Sequence, residues 1–129
     1  MNDIQDLQAW YAQYCDGEWE HFCGIRIDTL DNPGWSLTVD LEDTHCQDQE
    51  FKTVSVEKDE SNWFYCEIKQ GQFKGAGGPH NLSDLIKIFL TWAEHCQEAA
   101  EASAAHAPKT EETKENSFLQ RLKDRFKGA

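Results

Sequence analysis

Apolar side chains near the start of the chain recur at spacings of three and four residues, which places them on one stripe of a helix. These side chains are Ile4, Leu7, Trp10, Tyr11 and Tyr14. Asp16 and Gly17 follow, and such a pair is typical of the end of a helix. The pattern therefore predicts a short amphipathic helix as the first element.

From Trp19 the apolar period changes to two, which is the period of a β-strand. One predicted face carries Trp19, His21, Cys23, Ile25 and Ile27, and the other carries Glu20, Phe22, Arg26 and Asp28. Residues 31–34, with the sequence DNPG, are four turn-forming residues in a row. A second alternation then places Trp35, Leu37, Val39 and Leu41 on one face. Two strands joined as a hairpin are therefore predicted.

Further strands are predicted after a polar loop at residues 42–50. Residues 51–56 are rich in β-branched side chains, residues 58–62 form a turn, and residues 63–69 alternate again. The sheet would have four strands, or five if residues 72–74 add an edge strand. Parallel pairing needs long crossover connections that this spacing does not provide, so the strands are predicted to form an antiparallel meander.

A longer helix is predicted after the glycine-rich break at residues 75–79. Asn81 offers an N-cap, and Asp84 places a carboxylate in the first turn. The apolar stripe of this helix comprises Leu82, Leu85, Ile86, Phe89, Ala93 and Cys96. The fold class is predicted to be α+β, with the antiparallel meander packed against the N-terminal helix and this longer helix.

The C-terminal part of the chain differs in composition. We predict a single α+β domain at residues 1–98 and an Ala/Glu/Lys-rich helix extension or linker at residues 99–116. Residues 117–129 are predicted to form a basic amphipathic helix, in which Phe118, Leu119, Leu122 and Phe126 form the apolar stripe. This segment could contact a partner or a membrane surface, but folding back on the acidic domain or fraying is favoured.

The charge of the chain limits the classes of partner that it is expected to bind. The 129 residues carry a formal charge of −12, and residues 117–129 hold four basic side chains against one acid, which leaves −15 for residues 1–116. Such a field repels phosphate backbones and anionic lipid and attracts basic proteins. Direct nucleic-acid binding is therefore not expected, although acidity also serves solubility.

The cysteines and the N-terminus indicate a reducing compartment. Five cysteines make an odd count without a CxxC pair, so no disulfide framework is indicated. No basic segment followed by an apolar run opens the chain, and no apolar stretch is long enough for a membrane span. A cytoplasmic location is predicted.

Carboxylates and aromatic side chains concentrate around the predicted hairpin. The cluster Asp16, Glu18, Trp19, Glu20 and His21 could be read as an acid/base site, but in a strand the imidazole and the glutamates would lie on opposite faces. A recognition surface, with carboxylates for Arg or Lys and aromatic anchors, is favoured over catalysis. Trp63 and Tyr65 are expected on any solvent-facing side of the sheet. The predicted partner-binding residues are Asp16, Glu18, Trp19, Glu20, His21, Asp28, Asp31, Trp35, Asp40, Trp63 and Tyr65. For each of them a purely structural role, in the core or in a turn, is at least as well supported.

Metal, nucleophile and phosphate sites are each disfavoured. The pairs His21 and Cys23, His45 and Cys46, and His95 and Cys96 lack the spacing of a zinc site. A reactive Cys thiolate needs an electropositive setting, and this chain is acidic. The glycines at residues 71–78 lack the GK[ST] ending of a phosphate loop. No catalytic residue, metal or cofactor is predicted.

The region 15–41 resembles the opening of the immunity protein 53 family of bacterial polymorphic toxin systems. The residues that carry the resemblance are Cys15, Asp16, Gly17, Trp19, Glu20, His21, Gly24, Asp28, Thr29, Leu30, Asp31, Asn32, Pro33, Gly34, Trp35, Asp40 and Leu41. The resemblance extends to about residue 99 and is densest over residues 7–41.

The resemblance implies a binding protein and not an enzyme. A cytoplasmic immunity protein would neutralise a cognate toxin by covering its active site with an acidic, aromatic-bearing surface. An acidic surface of this kind would suit a basic toxin, such as a nuclease, because the charges would be complementary. The alternative is a small hydrolase or sulfur-handling enzyme that uses Cys15, Cys23 or His21. The toxin's identity and the oligomeric state are left open.

Overall fold

The computed structural model describes residues 2–106. The helices and strands follow one another in the predicted order, except for one helical turn between the first helix and the first strand that was not predicted. The helices are α1 (Asp3–Tyr14), α2 (Trp19–Phe22) and α3 (Leu82–His106). The strands are β1 (Ile25–Leu30), β2 (Gly34–Asp40), β3 (Val54–Asp59), β4 (Asn62–Lys69) and β5 (Gln72–Gly77). Asn2 caps α1, because its Oδ1 accepts the N–H groups of Ile4 at 2.9 Å and Gln5 at 3.3 Å.

The predicted α+β class is confirmed: one five-stranded antiparallel sheet packs against the N-terminal helix and the longer helix that follows it. The strand order is β1-β2-β5-β4-β3, so the expectation of a simple meander is wrong. The fifth strand, expected at an edge, lies in the centre and pairs with β2 and β4.

A glycine in β5 allows α3 to lie close to the middle of the sheet. Gly75 lies opposite Leu37 on one side and Cys66 on the other. A Cβ atom at Gly75 would stand 3.1 Å from Leu85 Cδ2 of α3, so the helix rests directly on this strand. Because glycine has no side chain, α3 can approach the middle of the sheet closely there.

The core lies between one face of the sheet and the helices. Leu37, Val39, Cys66 and Phe73 are buried on the sheet side. The predicted stripe of α3 is confirmed as the opposite wall: Leu85, Ile86, Phe89, Ala93 and Cys96 are buried, and Leu82 is half-buried. From α1 the core receives Leu7, Trp10 and Tyr14, whereas Ile4 remains 50% exposed.

Contacts between aromatic rings connect the helices to the sheet. Phe89 meets Trp10 edge-on at a centroid distance of 4.9 Å and Phe73 at 5.2 Å. Phe51 meets Phe73 at 5.5 Å and Trp92 at 5.2 Å. Edge-to-face pairs of this kind add stability beyond the apolar area that they bury.

The prediction that the first strand begins at Trp19 is wrong. Trp19–Phe22 forms the single helical turn α2, and β1 begins at Ile25. Trp19 is 3% exposed and packs against Trp10 at a centroid distance of 6.2 Å. Its Nε1–H donates to the Glu42 backbone oxygen at 2.9 Å, so the indole is anchored at its polar end as well.

Reciprocal capping explains why this segment becomes helical. Asp16 Oδ1 accepts the backbone N–H groups of Glu18 at 3.0 Å and Trp19 at 2.9 Å. The Glu20 carboxylate in turn accepts the N–H groups of Asp16 at 3.0 Å and Gly17 at 2.8 Å. These bonds satisfy the amide donors at the start of a helical turn, as a capping box does.

A hydrogen-bonded pair joins α1 to the loop after β2. The Tyr14 hydroxyl accepts the His45 backbone N–H at 3.1 Å and lies 2.6 Å from His45 Nδ1. Burial raises the pKa of Tyr14 to about 12. Burial also lowers the pKa of His45, and the Glu101 carboxylate opposes this by a smaller amount. The neutral imidazole is therefore the form that the fold favours.

We expect acidification to destabilise the protein partly through His45. Because its folded pKa lies below the unfolded value, the unfolded chain takes up a proton that the folded chain does not, and stability falls as the pH drops through the unfolded pKa. Urea titrations at about pH 7.5 and about pH 5.5 measure this loss. The variant His45→Gln should lose less stability over this interval than the wild type. Equal losses would contradict the expectation.

The described residues include only the beginning of the C-terminal part of the chain. The helix α3 is described from Leu82 to His106, so it includes the first residues of the segment predicted as a helix extension or linker. The basic amphipathic helix predicted at residues 117–129 lies outside the described residues. The division of the chain at residues 98 and 116 stays a prediction.

Candidate partner-binding surface

The second face of the sheet carries no helix layer in the part of the chain that the structure describes. The contacts of α3 with β2, β4 and β5 lie on the core face, where Val39, Cys66 and Phe73 are buried. Because side chains alternate along a strand, the neighbours of these residues point to the other side. The register assigns to this open face Arg26, Asp28, Ser36, Thr38, Asp40, Glu57, Trp63, Tyr65, Glu67 and Lys74.

A depression of about 530 Å³ lies on the open face beside the β3–β4 hairpin. Tyr65, which is 38% exposed, and Trp63, which is half-buried, are among its lining residues. Glu57 lies directly opposite Trp63 in the β3–β4 register. The residues around the depression are Asn32, Ser55, Val56, Glu57, Asp59, Glu60, Trp63, Phe64 and Tyr65. We call this feature the acidic depression.

Local hydrogen bonds shape the turn that borders the acidic depression. Asp59 Oδ1 accepts the Ser61 backbone N–H at 2.8 Å and the Ser61 hydroxyl at 3.1 Å. The Ser61 bonds lower the pKa of the Asp59 carboxyl, which therefore stays ionised at neutral pH. Lys58 and Glu60 flank Asp59, Glu57 precedes Lys58, and all four side chains are exposed, so three acidic residues outnumber one basic residue here. The hairpin thus concentrates negative charge next to two aromatic rings.

The start of α3 holds Trp63 in position. Asn81 is 3% exposed, and its Oδ1 accepts the Trp63 backbone N–H at 3.2 Å. The Asn81 amide donates to Asn62 Oδ1 at 3.0 Å and to Asp84 Oδ2 at 2.8 Å. Gly78 donates its N–H to the Trp63 carbonyl at 2.9 Å. A rigid backbone below the ring reduces the entropy that binding would cost.

Five of the predicted partner-binding residues take part in the domain's own structure. Asp16 is buried and Trp19 lies in the core, while Asp16 and Glu20 cap α2. Trp35 donates its Nε1–H to the Pro79 carbonyl at 3.0 Å. Asp40 accepts the Gly24 N–H at 2.9 Å and the Gln72 side-chain amide at 2.7 Å. Their role in partner binding stays a prediction.

The other six predicted residues lie on and beside α2, on the open face, and, for Asp31, in the exposed turn between β1 and β2. Glu18 and His21 are exposed on and beside α2, where Phe22 is also 83% exposed. Asp28 lies on the open face in the same register row as Tyr65. Two intervening strands separate them, a distance of about 14 Å at the usual strand spacing. The expectation that Trp63 and Tyr65 lie on the solvent-facing side of the sheet is confirmed.

The sequence predictions missed the acidic residues of the β3–β4 hairpin. Asp59 and Glu60 lie in the segment 58–62 that was predicted only as a turn, and Glu57 directly precedes it. The missing information was the register, which brings Glu57 opposite Trp63 across the hairpin. The run of acidic residues beside an aromatic strand start was the signal that could have identified them.

The electrostatics of the thiols do not favour a nucleophile. Burial raises the pKa of Cys66 to about 12, and it also raises the pKa values of Cys46 and Cys96. These thiols are protonated at neutral pH and lie in the core. The Cys15 thiol is turned toward the Tyr11 carbonyl at 3.4 Å.

Backbone donors keep the Glu20 carboxylate ionised. Hydrogen bonds from its own N–H and from those of Asp16 and Gly17 lower the pKa of Glu20. A general acid near neutral pH needs the opposite shift, so Glu20 is suited to capping and not to proton donation.

Residues 2–106 contain no group of three or more His, Cys, Asp or Glu side chains placed to hold a metal ion. Over the same residues, no helix is both long enough and apolar enough to cross a membrane.

Comparison with known proteins identifies a family whose model matches most of the chain. The model of a family described as immunity protein 53 matches residues 4–94, which include the whole sheet and the first half of α3. No curated protein and no solved structure matches the chain. The matched region contains every residue of the acidic depression.

Proposed function

The chain belongs to the immunity protein 53 family, and from that premise we propose that it binds a cognate bacterial toxin through the acidic depression and blocks the toxin's active site. The family suggests a toxin-neutralising role and is generally non-enzymatic. An immunity protein needs no chemistry of its own, because occlusion of the toxin is sufficient for protection.

The observation that carries this proposal is the acidic depression itself. It combines three carboxylates, Glu57, Asp59 and Glu60, with the rings of Trp63 and Tyr65 on a sheet face without a helix layer. Aromatic side chains on a rigid backbone are typical anchors of protein interfaces. Carboxylates around such an anchor select partners with Arg or Lys at the matching position.

The proposed occupant is a basic segment at the toxin's active-site groove, as a nuclease would present. An Arg side chain could stack on the Trp63 or Tyr65 ring while its guanidinium pairs with Glu57. The net charge of the chain, −12, would accelerate the encounter with a basic toxin. We also propose a cytoplasmic location, which the five free cysteines support.

The proposal is tested by a pull-down with the tagged full-length chain from the cells that make it, with the retained protein identified by mass spectrometry. The double variant E57K/E60K should retain at least about tenfold less toxin than the wild type, because it reverses two charges beside the anchor rings. Raising the salt concentration should weaken retention by the wild type more than retention by the variant.

The matched control is E94K/E98K, which makes the same change in net charge at two exposed glutamates of α3. It should retain the toxin within about threefold of the wild type, because only the overall field changes. Equal losses with both double variants would mean that the net charge matters and the acidic depression does not. Retention of a toxin by E57K/E60K at the wild-type level would place the interface elsewhere.

A further inference from the structure

The two edges of the sheet differ in how they are protected. Edge strand β3 carries Glu57, Lys58 and Asp59 and has an irregular register between Glu57 and Asp59. Charges and bulges of this kind prevent another strand from adding to an edge. Edge strand β1 pairs with β2 through six consecutive residues without a break and contains no proline. Its middle residues are exposed, including Ile27 at 38%.

The backbone of β1 directs a regular set of hydrogen-bonding groups away from the sheet. The Asp40 N–H donates to the Gly24 carbonyl at 3.0 Å, so Gly24 occupies a hydrogen-bonded position opposite β2. In an antiparallel ladder such positions alternate, so the groups of Ile25, Ile27 and Thr29 point outward. In the part of the chain that the structure describes, β1 pairs only with β2. An incoming strand would therefore find three residues ready to pair.

The side chains of β1 are complementary to a second copy of β1. In an antiparallel pair related by a two-fold axis at Ile27, Ile27 meets its own copy, and Ile25 meets Thr29 of the other chain. Arg26 then lies opposite Asp28 of the other chain, and this pair occurs twice by symmetry. Arg26 and Asp28 would occupy non-hydrogen-bonded positions, where side chains across the ladder are closest. Opposite charges at such positions stabilise strand pairing.

We propose that the β1 edge binds a second copy of this chain and joins two sheets into one continuous antiparallel sheet. The exposed Ile27 side chain would be covered by its symmetry mate, and the outward backbone groups of Ile25, Ile27 and Thr29 would all be paired. A two-fold axis requires a surface that is complementary to itself, and the order Arg26, Ile27, Asp28 meets this requirement.

This association is separate from the proposed toxin contact. The strands β1 and β3 are opposite edges of the sheet, so the pairing of β1 leaves the β3–β4 hairpin at the outer end of each copy. The assembly would present two acidic depressions on one continuous face. The inference therefore does not depend on the proposed function, and either can fail alone.

The test uses sedimentation velocity of the full-length chain and two charge-reversal variants. Wild type should sediment as a dimer at high concentration. In R26D an aspartate of one chain faces Asp28 of the other at both symmetry-related positions, and in D28R an arginine faces Arg26. Because like charges then oppose each other, the dimer dissociation constant of each variant alone should be at least about tenfold higher than that of the wild type. A mixture of the two variants should restore the dimer, because each then faces its complement.

Restoration by mixing distinguishes this pairing from general effects on folding or net charge. The double variant R26D/D28R should also dimerise like the wild type, because the exchanged charges are again complementary. The inference is overturned if the wild type remains monomeric at high concentration. It is also overturned if the wild type dimerises but R26D and D28R dimerise equally well alone, which would place the contact at another surface.

Discussion

Replacement of Phe89 by alanine is expected to lower the free energy of unfolding by about 4 kcal/mol. Phe89 is 0% exposed and contacts Trp10 of α1 and Phe73 of β5, with centroid distances of 4.9 Å and 5.2 Å. Its removal deletes buried surface and leaves a cavity between helix and sheet that rigid strands cannot close. A loss of this size is a large part of the total stability of a small domain.

The matched control is Phe22→Ala, which deletes the same atoms from a ring that is 83% exposed. This change should alter the free energy of unfolding by less than about 0.5 kcal/mol. Urea unfolding followed by tryptophan fluorescence measures both variants against the wild type. If Phe89→Ala costs no more than Phe22→Ala, the ring of Phe89 is not a core contact and the packing of α3 on the sheet described above is wrong.

Replacement of Gly34 by alanine is expected to cost about 3 kcal/mol or more. A Cβ atom at Gly34 would stand 2.2 Å from the Gly77 carbonyl oxygen, far inside any allowed contact. The obstacle is backbone of the central strand β5, so no side chain can rotate away. The start of β2 would have to separate from β5, which breaks the ladder at Trp35 and Gly77.

Gly24→Ala supplies the control for this prediction, because a Cβ atom there meets nothing within 4 Å. It should be stable to within about 0.5 kcal/mol of the wild type. Thermal unfolding monitored by circular dichroism compares the two variants. A Gly34→Ala protein that unfolds at the temperature of Gly24→Ala would show that β2 and β5 do not approach each other as closely as described.

The two proposed contacts use different physical features of one sheet. The acidic depression offers side chains, namely carboxylates beside Trp63 and Tyr65, to a partner of opposite charge. The β1 edge offers backbone groups together with a self-complementary pair, Arg26 and Asp28, to an identical chain. An immunity protein with both could hold two toxins at once. Each contact has variants that should leave the other unchanged.

The periodic segments were predicted correctly because their pattern reports directly on burial. The stripe of α3, including Phe89 and Cys96, and the alternation of β2, including Leu37 and Val39, have the burial that the sequence predicted. The open face with Trp63 and Tyr65 follows from the same alternation. An antiparallel α+β fold was therefore accessible from the spacing of apolar residues and turn residues.

The segment around Trp19 was predicted wrongly because the alternation of apolar residues gives no information on helix capping by side chains. Hydrogen bonds among Asp16, Gly17, Trp19 and Glu20 stabilise a helical turn there. Trp19 is therefore buried as a residue of a helix and not of a strand. The predicted binding cluster at residues 16–21 is affected as well, since the carboxylates of Asp16 and Glu20 accept backbone N–H groups of the domain itself. Side-chain bonds to the backbone of this kind compete with local periodicity.

By itself, the sequence of this protein determined its fold class, its acidic character and its helices and strands outside the segment around Trp19, since these depend on residues near one another in the chain. Only the tertiary structure decided that β5 lies in the centre, that Glu57 lies opposite Trp63 at the acidic depression, and that β1 is an edge strand of the sheet. These features depend on which distant strands pair and in which register. Strand pairing depends on residues far apart in the chain, and Gly75 of β5 leaves room for Leu85 of α3 over the middle of the sheet that results.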